Sequence, residues 1–230
     1  MRNPRKLLSL VWRRLNRKDS LYLAWALILI GVTALIASVF IIYKNSHRAE
    51  PQDPLGTTQA VPSSIKPTQK TIAAYSVAPD LPKYISIPAI DITQTRIIQL
   101  GLLNNGQIAT PDNIYDTGWY NGSAKPGQNG AMFIYGHVSS WTADGIFYNL
   151  NKLKSGNTVT IVRGDNTTFT YRVVSLKVYP YTKVDMHAVL SPVSTDTPGL
   201  NLMTCTGQVI KGTSEFNERL VVFTSLVKTS

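Results

Sequence analysis

The chain has 230 residues, with 23 Lys and Arg against 13 Asp and Glu, a formal net charge of +10. Seven of the basic residues and one acidic residue fall within residues 1–20. The excess is therefore a short N-terminal block rather than a basic surface, which argues against nucleic acid as a partner. The single cysteine, Cys205, excludes an intrachain disulfide and leaves the fold to core burial. A lone thiol in an exported chain is a candidate reactive group; the alternative is an inert buried cysteine behaving as a small hydrophobe.

After the basic block, Leu21–Tyr43 runs for 23 residues without a charge. At about 1.5 Å per residue a helix of this length crosses a hydrocarbon core of roughly 30 Å with some tilt. Tyr22, Trp25 and Tyr43 lie near its ends, where amphipathic rings favour the headgroup level. Seven basic residues precede the run and only Lys44 and Arg48 follow closely. The expected topology is a single-pass anchor in contact with membrane lipid, with a cytoplasmic N-terminus and an extracytoplasmic remainder. A cleaved signal peptide is the competing reading, with small residues Ala34, Ala37 and Ser38 as cleavage candidates. However, the apolar run exceeds the usual 7–15 residues of such peptides.

Residues 44–82 are rich in Pro, Ser and Thr and read as a flexible extracytoplasmic linker, too poor in apolar residues to offset its ordering entropy. From Lys83 to Ser230 short β-rich runs alternate with Gly, Pro, Asn and Asp. The predicted strands are Tyr84–Ile87, Thr95–Gln99, Ala131–Tyr135, Thr158–Val162, Thr167–Val178, Leu200–Cys205 and Arg219–Val227. Arg163-Gly164-Asp165-Asn166 joins two of them as a hairpin. No long 3.6-residue apolar period follows the anchor. The pattern predicts a mainly β domain, a closed barrel or a sandwich.

Candidate chemistry rests on few residues. Of three histidines, His47 lies in the juxtamembrane linker and His187 in a loop or short helix before Pro192. His137 follows the apolar run Ala131–Tyr135 and Gly136. Cys205 closes a strand, and Arg219 opens one, so the three stand at strand ends and can meet at one rim. A thiolate is a nucleophile, but an ordinary thiol with a pKa of about 8.5 is mostly protonated at neutral pH. An imidazole can exchange that proton and protonate a leaving amine. A guanidinium can stabilise a developing oxyanion. The plainer reading makes Arg219 a salt-bridge partner of Glu215 or Glu218 and His137 a satisfied strand-end residue.

Three motifs carry a family resemblance: Asn201-Leu202-Met203-Thr204-Cys205, Gly136-His137 and Arg219-Leu220-Val221-Val222. Around them lie Gly118-Trp119-Tyr120, Lys125-Pro126-Gly127, Gly130 through His137, Gly145-Ile146-Phe147-Tyr148-Asn149-Leu150 and Leu153-Lys154-Ser155-Gly156. Across roughly 83–227 the chain resembles the sortases. The resemblance implies a closed eight-stranded β-barrel with short helical connections, with Cys205, His137 and Arg219 as catalytic residues. It implies a cysteine transpeptidase that cleaves a C-terminal Leu-Pro-x-Thr-Gly-like sorting signal of secreted proteins after Thr. The acyl fragment would pass through a thioester to an amine of a cell-wall precursor or a pilin. Asn201 stands where the family's pattern has Thr, and the leaning is to the class E/F group. Alternatives are an exported cell-wall cysteine peptidase, an L,D-transpeptidase, or a non-enzymatic exported β domain. The first two fit poorly: His137 precedes Cys205, the reverse of papain-like order, and Cys205 lacks the His-Gly-x-Cys-x-x-Arg cluster. No cofactor is expected. Asp112, Asp116, Asp185 and Asp196 are scattered, unlike the clustered oxygen ligands that calcium requires.

Overall fold

The computed structural model describes residues 17–46, 53–56 and 61–230. They belong to two units, Met1–Glu50 and Pro51–Ser230. In the first, helix α1 (Arg17–Ser46) contains an 18-residue stretch, Trp25–Ile42, of mean hydropathy 2.7 with none of its surface buried in protein. Its hydroxyls bond to its own backbone, Thr33 Oγ1 to the Ile30 carbonyl at 2.9 Å and Ser38 Oγ to that of Ala34 at 2.8 Å. A helix in lipid must satisfy its polar groups in this way. This helix is long and apolar enough to cross a membrane.

The second unit is built on a closed barrel of eight strands. They are β2 (Pro82–Ile87), β3 (Ile92–Leu100), β5 (Thr117–Tyr120), β6 (Ala131–Gly136), β7 (Thr158–Arg163), β8 (Thr168–Pro180), β9 (Gly199–Val209) and β10 (Phe216–Thr229). Around the barrel the order is β10-β8-β7-β2-β3-β5-β6-β9. The β3–β5 and β6–β9 pairs are parallel and the others antiparallel. Strand alternation separates two apolar clusters. Met132, Ile134, Leu200, Leu202, Leu220 and Val222 point into the barrel, while Phe133, Tyr135, Met203 and Val221 pack on its outer face. Both faces of β6 are therefore buried, which explains its unbroken apolar run. The outer cluster is covered partly by the connection that carries helix α3 (Met186–Val189), through Val189 and Leu190.

The predicted strands form, with longer bounds in several cases. One strand of the barrel was not predicted: β5 reads Thr-Gly-Trp-Tyr, and a glycine depresses strand propensity. Here Gly118 is required by its neighbours. A Cβ at this position would lie 2.8 Å from both Leu100 Cδ1 and Tyr135 Cε2.

The reading of 44–82 as a linker needs correction for its described residues 53–56 and 61–82. Residues from Pro51 belong to the same unit as the barrel. Strand β1 (Leu55–Gly56) pairs in parallel with β4 (Ile108–Ala109), and Leu55 joins the outer apolar cluster. Helix α2 (Gln69–Ala73) is capped by Thr68, whose Oγ1 accepts from the Thr71 amide at 3.1 Å. Tyr75 Oη donates to the Ile97 carbonyl at 2.6 Å, and Tyr84 Oη to that of Ile72 at 2.5 Å. The segment has few apolar residues of its own, but a barrel carbonyl accepts from its Tyr75 hydroxyl and a barrel hydroxyl, that of Tyr84, donates to its backbone carbonyls. Docking of this kind leaves no periodic signal in a sequence.

Candidate active site

Strand pairing builds the site. In the β9–β10 ladder Arg219 is the direct partner of Cys205, so both side chains leave the same, outer face. In the β6–β9 ladder Tyr135 is partnered with Met203. One step on, Thr204 Oγ1 donates to the Gly136 carbonyl at 2.8 Å, tying the end of β6 to the residue before Cys205. His137 follows immediately. Gly136 is pressed against the next segment, and a Cβ there would lie 2.8 Å from Ile146 and 2.9 Å from Phe147. The Phe147 amide also donates to the His137 carbonyl at 2.9 Å. The backbone on both sides of the imidazole is thus held.

His137, Cys205 and Arg219 line one cavity of about 220 Å³ at the barrel rim. Leu55, Tyr135, Val209 and Phe216 supply apolar wall, and Trp141, 78% exposed, stands at its edge. His187 is an exposed residue of α3 and does not line it. His47 lies outside the described residues. Among the described residues, no group of three or more His, Cys, Asp and Glu side chains is placed to hold a metal ion.

The imidazole of His137 is fixed by its Nε2, which donates to the Pro111 carbonyl at 2.7 Å. A carbonyl only accepts, so Nε2 carries the proton and Nδ1 is the nitrogen open to exchange. Burial pulls its pKa below the ordinary histidine value, against the Pro111 hydrogen bond and the charge of Asp112. Burial, then the Glu215 carboxylate, pushes the Cys205 thiol up to about 12. In this arrangement imidazole and thiol are both neutral at neutral pH.

Arg219 is 1% exposed and heavily engaged. Its Nη1 donates to the carbonyls of Phe216 at 2.9 Å and Glu218 at 2.8 Å. Its Nε donates to Asp53 Oδ1 at 3.2 Å, and Nη2 makes an ion pair with the other Asp53 oxygen. Glu215 approaches Nη2 at 3.4 Å, and the guanidinium lies 5.7 Å from the Tyr181 ring centre. Burial draws its pKa down to about 10, and arginine stays charged at neutral pH. Asp53 is the site residue that the sequence does not reveal. It is 166 positions from Arg219, in a polar stretch with no local pattern. Glu215 was legible only as a salt-bridge partner.

The family's sortase-domain model matches residues 85–227. The chain belongs to the sortase family. Members of this family are cysteine transpeptidases. No curated relative matches the chain. Among solved structures it is similar to a sortase C of Streptococcus pneumoniae, at 21% identity and a TM-score of 0.51, covering 75% of this chain and 81% of that one. It is also similar to sortase C from Clostridium perfringens SM101, at 22% identity and a TM-score of 0.48, covering 66% and 73%. The likeness is one of fold: a mainly β, closed eight-stranded barrel.

Proposed function

We propose that the chain is a membrane-anchored transpeptidase using Cys205 as nucleophile, His137 as acid and base, and Arg219 as oxyanion donor. Its substrates are secreted proteins bearing a C-terminal Leu-Pro-x-Thr-Gly-like signal, and its acceptor is an amine of a cell-wall precursor or a pilin. Helix α1 holds the enzyme in the membrane, with its N-terminus cytoplasmic and the barrel outside. The observation that carries this reading is the convergence of one thiol, one imidazole and one guanidinium on a single cavity.

The geometry supports the following steps. Nδ1 of His137 takes the Cys205 proton, and the sulfur attacks the Thr carbonyl carbon. Arg219 turns a guanidinium N–H to the developing oxyanion. The C–N bond to Gly breaks, and the imidazolium protonates the leaving amine. The incoming amine then attacks the thioester, the C–S bond breaks, and Cys205 regains its proton. All five N–H groups of Arg219 are engaged, so a contact with Asp53 or Glu215 must be given up before the oxyanion can be met. Incubation with a sorting-signal peptide followed by intact-protein mass spectrometry should show an acyl adduct on the wild type and none on Cys205→Ala. Turnover by the alanine variant near the wild-type rate refutes the assignment.

A further inference from the structure

The described residues lining the cavity include one guanidinium and two carboxylates, Asp53 and Glu215. With a neutral imidazole the cavity carries surplus negative charge. That surplus works against the first half of the reaction, because it opposes both thiolate formation and an oxyanion. A charge that hinders acylation is explained if it serves the other half. The acceptor amine arrives from water as an ammonium ion, the only cationic reactant in the scheme proposed above.

The two carboxylates differ in availability. Asp53 is 10% exposed and holds Arg219 through two contacts. Glu215 is 55% exposed and meets Arg219 only at 3.4 Å, longer than the roughly 2.7–2.9 Å of a strong charge-assisted bond. The turn before it sets the position of Glu215. The Ile210 amide donates to the Glu215 carbonyl at 2.8 Å, Thr213 Oγ1 donates to the Ile210 carbonyl at 2.9 Å, and the Glu215 amide donates to Thr213 Oγ1 at 3.1 Å. A carboxylate held at the mouth, with much of its surface in water, can exchange a weak partner for an incoming cation.

We propose that Glu215 is the acceptor-binding residue, drawing a primary ammonium to the thioester on Cys205 and so favouring aminolysis over hydrolysis. This rests on the transpeptidase reading. The ammonium passes one proton to His137, and its nitrogen attacks the thioester carbonyl. The C–S bond breaks, the second proton goes to the Cys205 sulfur, and His137 later returns its own proton to solvent.

The test compares two nucleophiles on the full chain at neutral pH, with a fluorogenic Leu-Pro-Ala-Thr-Gly peptide as acyl donor. Glycinamide is substantially cationic there and hydroxylamine is neutral. Glu215→Gln should raise KM for glycinamide about two- to fivefold, the size of one exposed charge pair, and leave KM for hydroxylamine unchanged. Glu215→Asp should restore most of the effect. Added salt should raise KM for glycinamide in the wild type and much less in Glu215→Gln. If both nucleophiles lose kcat together, Glu215 only steadies Arg219 and the proposal fails. It also fails if glycinamide KM is unmoved while hydroxamate still forms. If the wild type forms no acyl-enzyme and no hydroxamate, the transpeptidase reading for this signal fails instead.

Discussion

The barrel unit holds two well-shielded arginine–aspartate pairs, and they are built for different purposes. Arg96 grips Asp116 with both arms, Nε to Oδ1 at 2.9 Å and Nη2 to Oδ2 at 2.6 Å, at side-chain exposures of 17% and 6%. The partners lie 20 residues apart, on β3 and just before β5, neighbouring strands of the barrel. Neither can leave without opening that seam. Arg219 and Asp53 are as deeply buried, but Asp53 precedes a two-residue strand, β1, whose ladder partner is the equally short β4. The same chemistry thus makes a rivet in one place and a latch in the other. Buried ion pairs add little net stability, but losing one partner strands a charge. What matters is whether the stranded group can reach water.

The largest expected effect breaks the rivet. Arg96→Ala leaves Asp116 charged and shielded, and should cost about 3–5 kcal/mol. For a unit of this size that is a fall in melting temperature of roughly 6–20 °C. Asp53→Ala leaves Arg219 its bonds to the Phe216 and Glu218 carbonyls and its contact with Glu215, and should lower the melting temperature far less. Equal falls in the two melts would erase the distinction.

Next comes the catalytic consequence at the latch. Arg219→Lys keeps the charge but loses the planar fork. If Arg219 is the oxyanion donor, turnover should fall roughly 10²–10³-fold, about 2.7–4 kcal/mol in the barrier. Arg96→Lys should leave turnover within a few-fold of wild type in whatever fraction remains folded. Steady-state kinetics paired with a melt on each variant separates the cases. Unchanged turnover in Arg219→Lys removes its catalytic role.

A smaller effect should have the opposite sign. Asp53→Ala frees Arg219 for the substrate carbonyl and should accelerate acylation of Cys205 about tenfold, comparable to one charged hydrogen bond of 1.5 kcal/mol or so. Pre-steady-state acylation measures it directly. Slower acylation would mean that Asp53 assists the reaction rather than competing with the substrate.

These contrasts mark what the sequence discloses and what it conceals. Strand β6 was legible as an unbroken apolar run bounded by turns, and β9 and β10 through short apolar runs such as Leu202-Met203 and Leu220-Val221-Val222-Phe223. The sequence places His137, Cys205 and Arg219 at strand ends; in the fold only His137 directly follows its strand, while Cys205 lies within β9 and Arg219 within β10, and it is their direct pairing in that ladder that brings them together. The latch was not legible. Asp53, Gly56 and Pro111 take their places from long-range pairing, through the Ile108 amide donating to the Pro54 carbonyl and the Thr110 amide to that of Gly56, at 2.8 and 2.7 Å. Backbone bonds of this kind are indifferent to side-chain identity and leave no trace in composition. Likewise Asn201 is conspicuous in the sequence only as a departure from a motif. In the fold its Nδ2 donates to the carbonyls of Val189 and Ser191 at 2.7 and 3.0 Å, pinning the α3 connection to β9.

The smallest expected effect concerns the thiol itself and separates the two carboxylates that share Arg219. Burial is the larger cause of the raised Cys205 pKa and Glu215 the lesser. A thiol shifted up to about 12 stays protonated where an ordinary one has ionised. Its alkylation by iodoacetamide in the native enzyme should therefore keep climbing with pH well above 9, without the plateau of a free cysteine. The sign for stability follows from the same shift. The folded state holds its proton where the unfolded chain has released it, so this contribution is complete below about 8.5–9 and declines as pH rises towards 12. Glu215→Gln removes only the lesser cause and should lower the alkylation midpoint slightly. Asp53→Ala loosens the wall formed by Asp53 and Leu55, rehydrates the sulfur, and should lower the midpoint further. If Glu215→Gln moves it more than Asp53→Ala does, charge rather than burial governs the thiol, and the latch controls Arg219 alone.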